Sequence, residues 1–135
     1  MGWAPGRLVL AAAAAAGWAC QGEPPPAVTS PAPEITILGY LDSPERLEVP
    51  PGATVVVQNF DPVVHTVTSS SAPGTYAPGA VNGVSFDSGP IAGNAAFTIP
   101  ANAPVGTVVP YFCSIHRETT QEHGEIVVLE SASAP

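Results

Sequence analysis

The sequence predicts an all-β domain built from short strands. Seventeen prolines and 13 glycines among 135 residues break every stretch beyond the N-terminus in which a long helix could propagate, since proline has no amide for the helix interior. Apolar residues make up 45 % of the chain, too many for a disordered polymer. From Glu34 onward they fall in runs of strand length separated by Pro, Gly, Asn and Asp.

The predicted strands run from Glu34 to Tyr40, Arg46 to Val49, Thr54 to Asn59 and His65 to Ser69. Four more follow, from Gly83 to Asp87, Ala95 to Ile99, Val108 to Cys113 and Glu125 to Leu129. Thr54 to Asn59 alternates, with Val55, Val57 and Asn59 on one face and Thr54, Val56 and Gln58 on the other. About eight short strands at this spacing predict a sandwich or barrel of antiparallel character. The segment Ser70 to Asn82 is long for a connection, and so is either functional or loosely ordered. No internal repeat is visible.

Residues 1–19 have the pattern of a secretory signal peptide: Arg7, then Leu8-Val9-Leu10 and a run of alanines, then small residues before Cys20. The apolar stretch is shorter than the roughly 20 residues that span a bilayer. Gly17-Trp18-Ala19-Cys20 resembles a bacterial lipoprotein box, in which Cys20 would carry the lipid; Gly17 and Trp18 depart from the usual residues there. Residues 20–33 then form a Pro-rich tether, 34–130 the folded domain and 131–135 a flexible tail. A disulfide between Cys20 and Cys113 ranks second, because it would join a disordered leader to the far end of the domain.

Eleven acidic residues face three arginines and no lysine, a net charge of −8, or −9 once Arg7 is removed with the leader. Such a surface is repelled by phosphate backbones, which excludes nucleic acid as a partner and favours a basic protein. No oligomerisation signal is present, so a monomer is expected. Neither a Gly-x-Ser-x-Gly elbow, nor a His-Glu-x-x-His pair, nor a phosphate loop occurs, and an enzyme is not expected.

The residues with chemistry to offer are few. Cys113 and His116 stand two residues apart at the end of the Val109-Pro110-Tyr111-Phe112 run, so that a thiolate and an imidazole can both turn toward one ion. One thiolate with imidazoles suits copper or zinc better than calcium or magnesium.

In this order, the motifs resemble the cupredoxins, the small blue-copper domains of the plastocyanin, pseudoazurin and amicyanin type. The resemblance rests on Leu47-Glu48-Val49-Pro50-Pro51-Gly52-Ala53-Thr54-Val55, Asn59-Phe60-Asp61-Pro62-Val63-Val64-His65-Thr66-Val67 and Ser85-Phe86-Asp87-Ser88-Gly89. It continues through Tyr111-Phe112-Cys113-Ser114-Ile115-His116 and Gly124-Glu125-Ile126-Val127-Val128. It implies a Greek-key β-sandwich of about eight strands holding one mononuclear copper ion through His65, Cys113 and His116. Asn59 would tie the two ligand loops together.

The axial ligand is less defined, because the only methionine is Met1. Counting forward from Cys113 puts the plastocyanin-like axial position at Gln121, as in the stellacyanin subgroup, and Gln121 is the preferred ligand. Counting back from Gly124 gives Glu122 instead, and His123 would make a site resembling red-copper nitrosocyanin or a tetrahedral zinc site. At each of the three a solvated loop without metal contact is the alternative.

The expected function is single-electron transfer between redox partners in the cell envelope, in a periplasmic or outer-membrane-anchored protein whose partner docks through a basic surface. A copper-buffering or delivery module, or a red-copper-type site with no carrier role, is the alternative.

Overall fold

The structure, a computed structural model, describes Met1, Pro26 and residues 29–117 and 121–130. The signal peptide, the lipidation site Cys20, most of the tether and the 131–135 tail lie outside the described residues.

Eight strands form two four-stranded sheets. They are β1 (Glu34–Leu38), β2 (Leu41–Ser43), β3 (Arg46–Val49), β4 (Thr54–Asn59), β5 (Thr68–Ser69), β6 (Asn94–Thr98), β7 (Val108–Phe112) and β8 (His123–Val128). One sheet has the order β2-β1-β4-β6 and the other β3-β8-β7-β5. The expected all-β, Greek-key sandwich is therefore the observed architecture.

Its pairing is less uniformly antiparallel than expected. β1 runs parallel to β4, and β3 runs parallel to β8. The chain crosses from one sheet to the other between β2 and β3, so neighbours within a sheet need not be joined by a hairpin.

Inward-facing residues of both sheets meet in one core. Ile35 and Ile37 of β1, Val55 and Val57 of β4, Val109 and Tyr111 of β7, and Ile126 and Val128 of β8 are all buried. The Phe86 ring stacks on Phe97 at 4.6 Å between centroids. The alternation read in Thr54–Asn59 is the observed burial pattern, with Val55, Val57 and Asn59 inward.

Three predicted strands differ. The run from Glu34 to Tyr40 ends at Leu38, because Gly39 and Tyr40 both take positive φ (63° and 60°) and turn the chain into β2. Leu38 pairs with Leu41 across this two-residue turn, the geometry that matches the twist of a hairpin. Gly83 to Asp87 is not a strand: Asn82 and Gly83, again both at positive φ, close a one-pair hairpin between Val81 and Val84. His65 to Ser69 keeps only Thr68–Ser69 as strand, and His65 joins Ile91 through an isolated bridge.

Gly124 in β8 is a close approach that only glycine permits. A Cβ there would lie 2.6 Å from the Glu45 carbonyl oxygen and would run into the Tyr111 phenol. Gly124→Ala is therefore expected to destabilise the fold by about 1–3 kcal/mol, measured as a lowered denaturant midpoint with an unchanged slope.

Candidate metal centre

The loop from Phe60 to Val67, between β4 and β5, meets residues 113–117 and 121–122, between β7 and β8, at one end of the sandwich. Asn59 shapes the first. Its amide donates to the carbonyls of Val63 and Ile91, both at 2.8 Å, and its oxygen accepts the Asp61 amide at 2.9 Å. These bonds hold His65's own loop against the Ile91 segment and do not reach Cys113. The expected tie between the two ligand loops belongs instead to Thr66. Its hydroxyl accepts the Ser114 amide at 2.7 Å and pairs with the Ser114 hydroxyl at 3.0 Å, and its own amide donates to Cys113 Sγ at 3.4 Å.

Cys113 is buried, and among the described residues it forms no disulfide. It follows the last residue of β7, and its amide donates to the Glu122 carbonyl at 3.2 Å. This extends the β7–β8 ladder one pair beyond Phe112 and His123. Residues opposite each other in a ladder project to the same face, so Cys113 and Glu122 point inward together.

The structure places His65, Cys113 and His116 in one group with Glu122, the residue reached by the count back from Gly124. One ligand atom from each of the four lies within 4.8 Å of all the others. His116 Nδ1 is 3.5 Å from Cys113 Sγ and 3.1 Å from Glu122 Oε2, while His65 Nδ1 abuts Glu122 Oε1. The side chains of His65 and Glu122 are each 1 % exposed, and that of His116 is 23 % exposed.

Gln121, the preferred axial residue, is exposed, and so is His123. Alternation along the strand turns both away from the face that Glu122 shares with Cys113. His123 lines a cleft on the outer side of the sheet with Arg46, Tyr76 and Phe112. Of the three, Glu122 is the residue whose side chain joins the group, because the pairing phase of β7 and β8 turns it inward.

Two further carboxyls surround the group. Asp61, its side chain 7 % exposed, accepts the amides of Gly39 at 2.6 Å and Tyr40 at 3.0 Å. Its Oδ2 also lies 3.0 Å from His65 Nε2. The Tyr40 amide first, with the Gly39 amide and His65 behind it, outweighs burial and holds the Asp61 carboxyl below the usual range. Asp42 of β2 is buried, and desolvation, reinforced by the charge of Glu122, pushes it up to about 7. Burial, with the charges of Asp42 and Glu45 behind it, also raises the Tyr111 phenol.

Two imidazoles, a thiol and a carboxylate packed inside a largely buried space form an arrangement that a cation relieves. The mixture of soft sulfur and borderline nitrogen fits copper or zinc and is poor for calcium or magnesium. The sequence signal for Glu122 was the count backward from Gly124. For Thr66 and Tyr40 no chemical signal existed, since one acts through its backbone amide and both depend on a contact distant in sequence.

A two-sheet Greek-key sandwich with a His–Cys–His–Glu group between its end loops defines a cupredoxin-type domain, and the chain has the cupredoxin fold. Among solved structures it is similar to a purple cupredoxin from Nitrosopumilus maritimus, at 26 % identity over 71 % of this chain and 98 % of that one, with a TM-score of 0.54. An amicyanin variant in its reduced Cu(I) form matches at 19 % identity, over 76 % of this chain and 86 % of that one, with a TM-score of 0.52. Amicyanin from Paracoccus versutus matches at 17 % identity, over 76 % and 85 % of the two chains, with a TM-score of 0.50. No family model matches the chain, and neither does any curated protein.

The raised Asp42 carboxyl has a measurable consequence. In the folded protein it stays protonated up to about 7, whereas in the unfolded chain it ionises near 3.8. The folded state therefore holds the extra proton between these values, and this contribution to stability is lost as pH rises through the window. In urea titrations of metal-free protein, Asp42→Asn is expected to flatten the fall in stability between about pH 4 and 7, by up to about 1.4 kcal/mol per unit. Equal pH dependence in both proteins would refute it.

Proposed function

We propose that the protein is a copper-binding single-electron carrier, with copper held by His65, Cys113, His116 and Glu122. The observation that carries this is the convergence of one thiolate, two imidazoles and a carboxylate in a nearly closed site on a cupredoxin fold. Bound copper supplies a one-electron couple between Cu(II) and Cu(I). The chain's own residues limit rearrangement around it. His65 is anchored through a β-bridge to Ile91, Cys113 through the ladder to Glu122, and the two loops are locked by Thr66 and Ser114.

Glu122 would add a hard, anionic donor to the two imidazoles and the thiolate. A negative oxygen favours the more highly charged metal ion, so the site is expected to stabilise Cu(II) and to have a lower potential than a methionine-ligated one. That same preference supports the second reading, a copper-buffering or delivery module without a carrier role.

His116 is the ligand nearest solvent, and exposed apolar residues stand on the loops around it: Tyr40, Phe60, Val64 and Ile115. A redox partner would approach over this end. Its docking surface would be basic, because the chain has a net charge of −8 and Arg46 is already paired with Glu48 and Glu125. The cell envelope is the proposed setting, by export through residues 1–19 and anchoring at Cys20.

Titration of the protein with Cu(II), followed by visible absorption and EPR, tests the assignment. An intense thiolate-to-copper band at one equivalent is expected, and Cys113→Ser should abolish it while leaving the far-ultraviolet spectrum of a folded β-domain. Glu122→Gln should raise the reduction potential measured at an electrode and weaken Cu(II) binding. Bound copper that does not cycle at the electrode favours the buffering module, and a wild type without the band removes the cupredoxin-type site altogether.

A further inference from the structure

The turn between β1 and β2 contributes no metal ligand, yet its tip reaches the metal group. The Tyr40 ring lies edge-on to both candidate ligand imidazoles, with centroid separations of 5.3 Å to His65 and 5.3 Å to His116, and the two imidazoles are 4.9 Å apart. Tyr40 is 39 % exposed, so one side of the ring faces solvent while its edge contacts cover the histidines. His65 is fully buried, although it sits at the end of the sandwich next to a loop surface.

The backbone under this ring is held in a costly conformation. Tyr40 has φ of 60°, where a side chain with a Cβ is strained, and such strain persists only when surrounding contacts enforce it. The enforcing contact is Asp61. Its two oxygens accept the Gly39 and Tyr40 amides from a position 21 residues along the chain from Tyr40, and the same carboxylate faces His65 Nε2. One side chain thus joins the turn that carries the ring to the histidine that the ring covers. Were the turn needed only to connect β1 to β2, glycine at position 40 would do so without strain.

We propose that Tyr40 is a shielding residue of the metal centre: its ring, held closed by Asp61, restricts the access of water and small anions to the His65–His116 side of the site. The ring acts by occupying space, and its hydroxyl is not required. Asp61 is the positioning residue, acting on the ring through the turn amides and on His65 through its charge.

The test has two independent readouts. In metal-free protein, carbethoxylation of histidines by diethyl pyrocarbonate is followed by mass spectrometry, with exposed His123 as the internal reference. Tyr40→Gly removes the ring while suiting the positive φ, so the fold is preserved. It is expected to speed modification of His116 and His65 several-fold relative to His123. Tyr40→Phe should behave as wild type, and Asp61→Asn should fall between wild type and Tyr40→Gly.

In Cu(II)-loaded protein, azide should perturb the EPR spectrum of Tyr40→Gly at concentrations that leave wild type and Tyr40→Phe unchanged. Asp61→Asn should in addition weaken copper binding roughly 10-fold, the scale for loss of a partner to a ligand histidine. Unchanged histidine reactivity in Tyr40→Gly overturns the proposal, as does an equal rise in Tyr40→Phe. The azide readout rests on the copper assignment above. The carbethoxylation readout does not, so a protein that fails to bind copper would still report whether the ring shields the histidines.

Discussion

The hydrogen bond from the Cys113 amide to the Glu122 carbonyl, the last rung of the β7–β8 ladder, sets which side chains enter the metal group. A strand alternates its side chains between two faces, so a pairing phase assigns every residue near it to the inside or the outside. With Cys113 opposite Glu122, the thiol and the carboxylate face the interior, and Gln121 and His123 face solvent. Slipping the pairing by one residue would exchange them and leave a thiol without its anionic neighbour.

Burying this set has an energetic consequence. Acceptors and ionisable groups with little access to water are costly unless they share a proton or a cation. The cost extends outward to Asp42, whose carboxyl is kept largely neutral by burial and by the charge of Glu122. Asp61 differs: two backbone amides and His65 face it and hold its carboxyl below the usual range. The two aspartates therefore differ because of what points at them: one sees mainly apolar surroundings and a like charge, the other sees N–H groups.

The sandwich beneath is conventional and does the positioning. Its core of Ile, Val and aromatic side chains fixes the ends of β4 and β7, and the ligand loops leave from those ends. Short links then stiffen the loops: Asn59 within the His65 loop, and Thr66 and Ser114 between loops. A site built this way is held in one geometry by hydrogen bonds that do not involve the metal, which is the condition for electron transfer with little rearrangement.

Composition and alternation were enough to determine the all-β class, the inward faces of β4 and the positions of β3 and β4, because burial on one face of a strand leaves a period-two trace in the sequence. The grouping of Cys113 and His116 with His65 was legible as a candidate, since cysteine and histidine are chemically distinctive and few in this chain. Tertiary structure alone decided the rest. Parallel pairing of β1 with β4 and of β3 with β8 leaves no local mark, and the turn at Gly39–Tyr40 depends on a φ value that a tyrosine does not advertise. The choice of Glu122 over Gln121 and His123 follows from the pairing phase of two strands, and the roles of Thr66, Asp61 and Tyr40 arise from contacts between segments 20 to 80 residues apart in the chain. Those depend on where the folded core brings the loops, and no local pattern of residues encodes that distance.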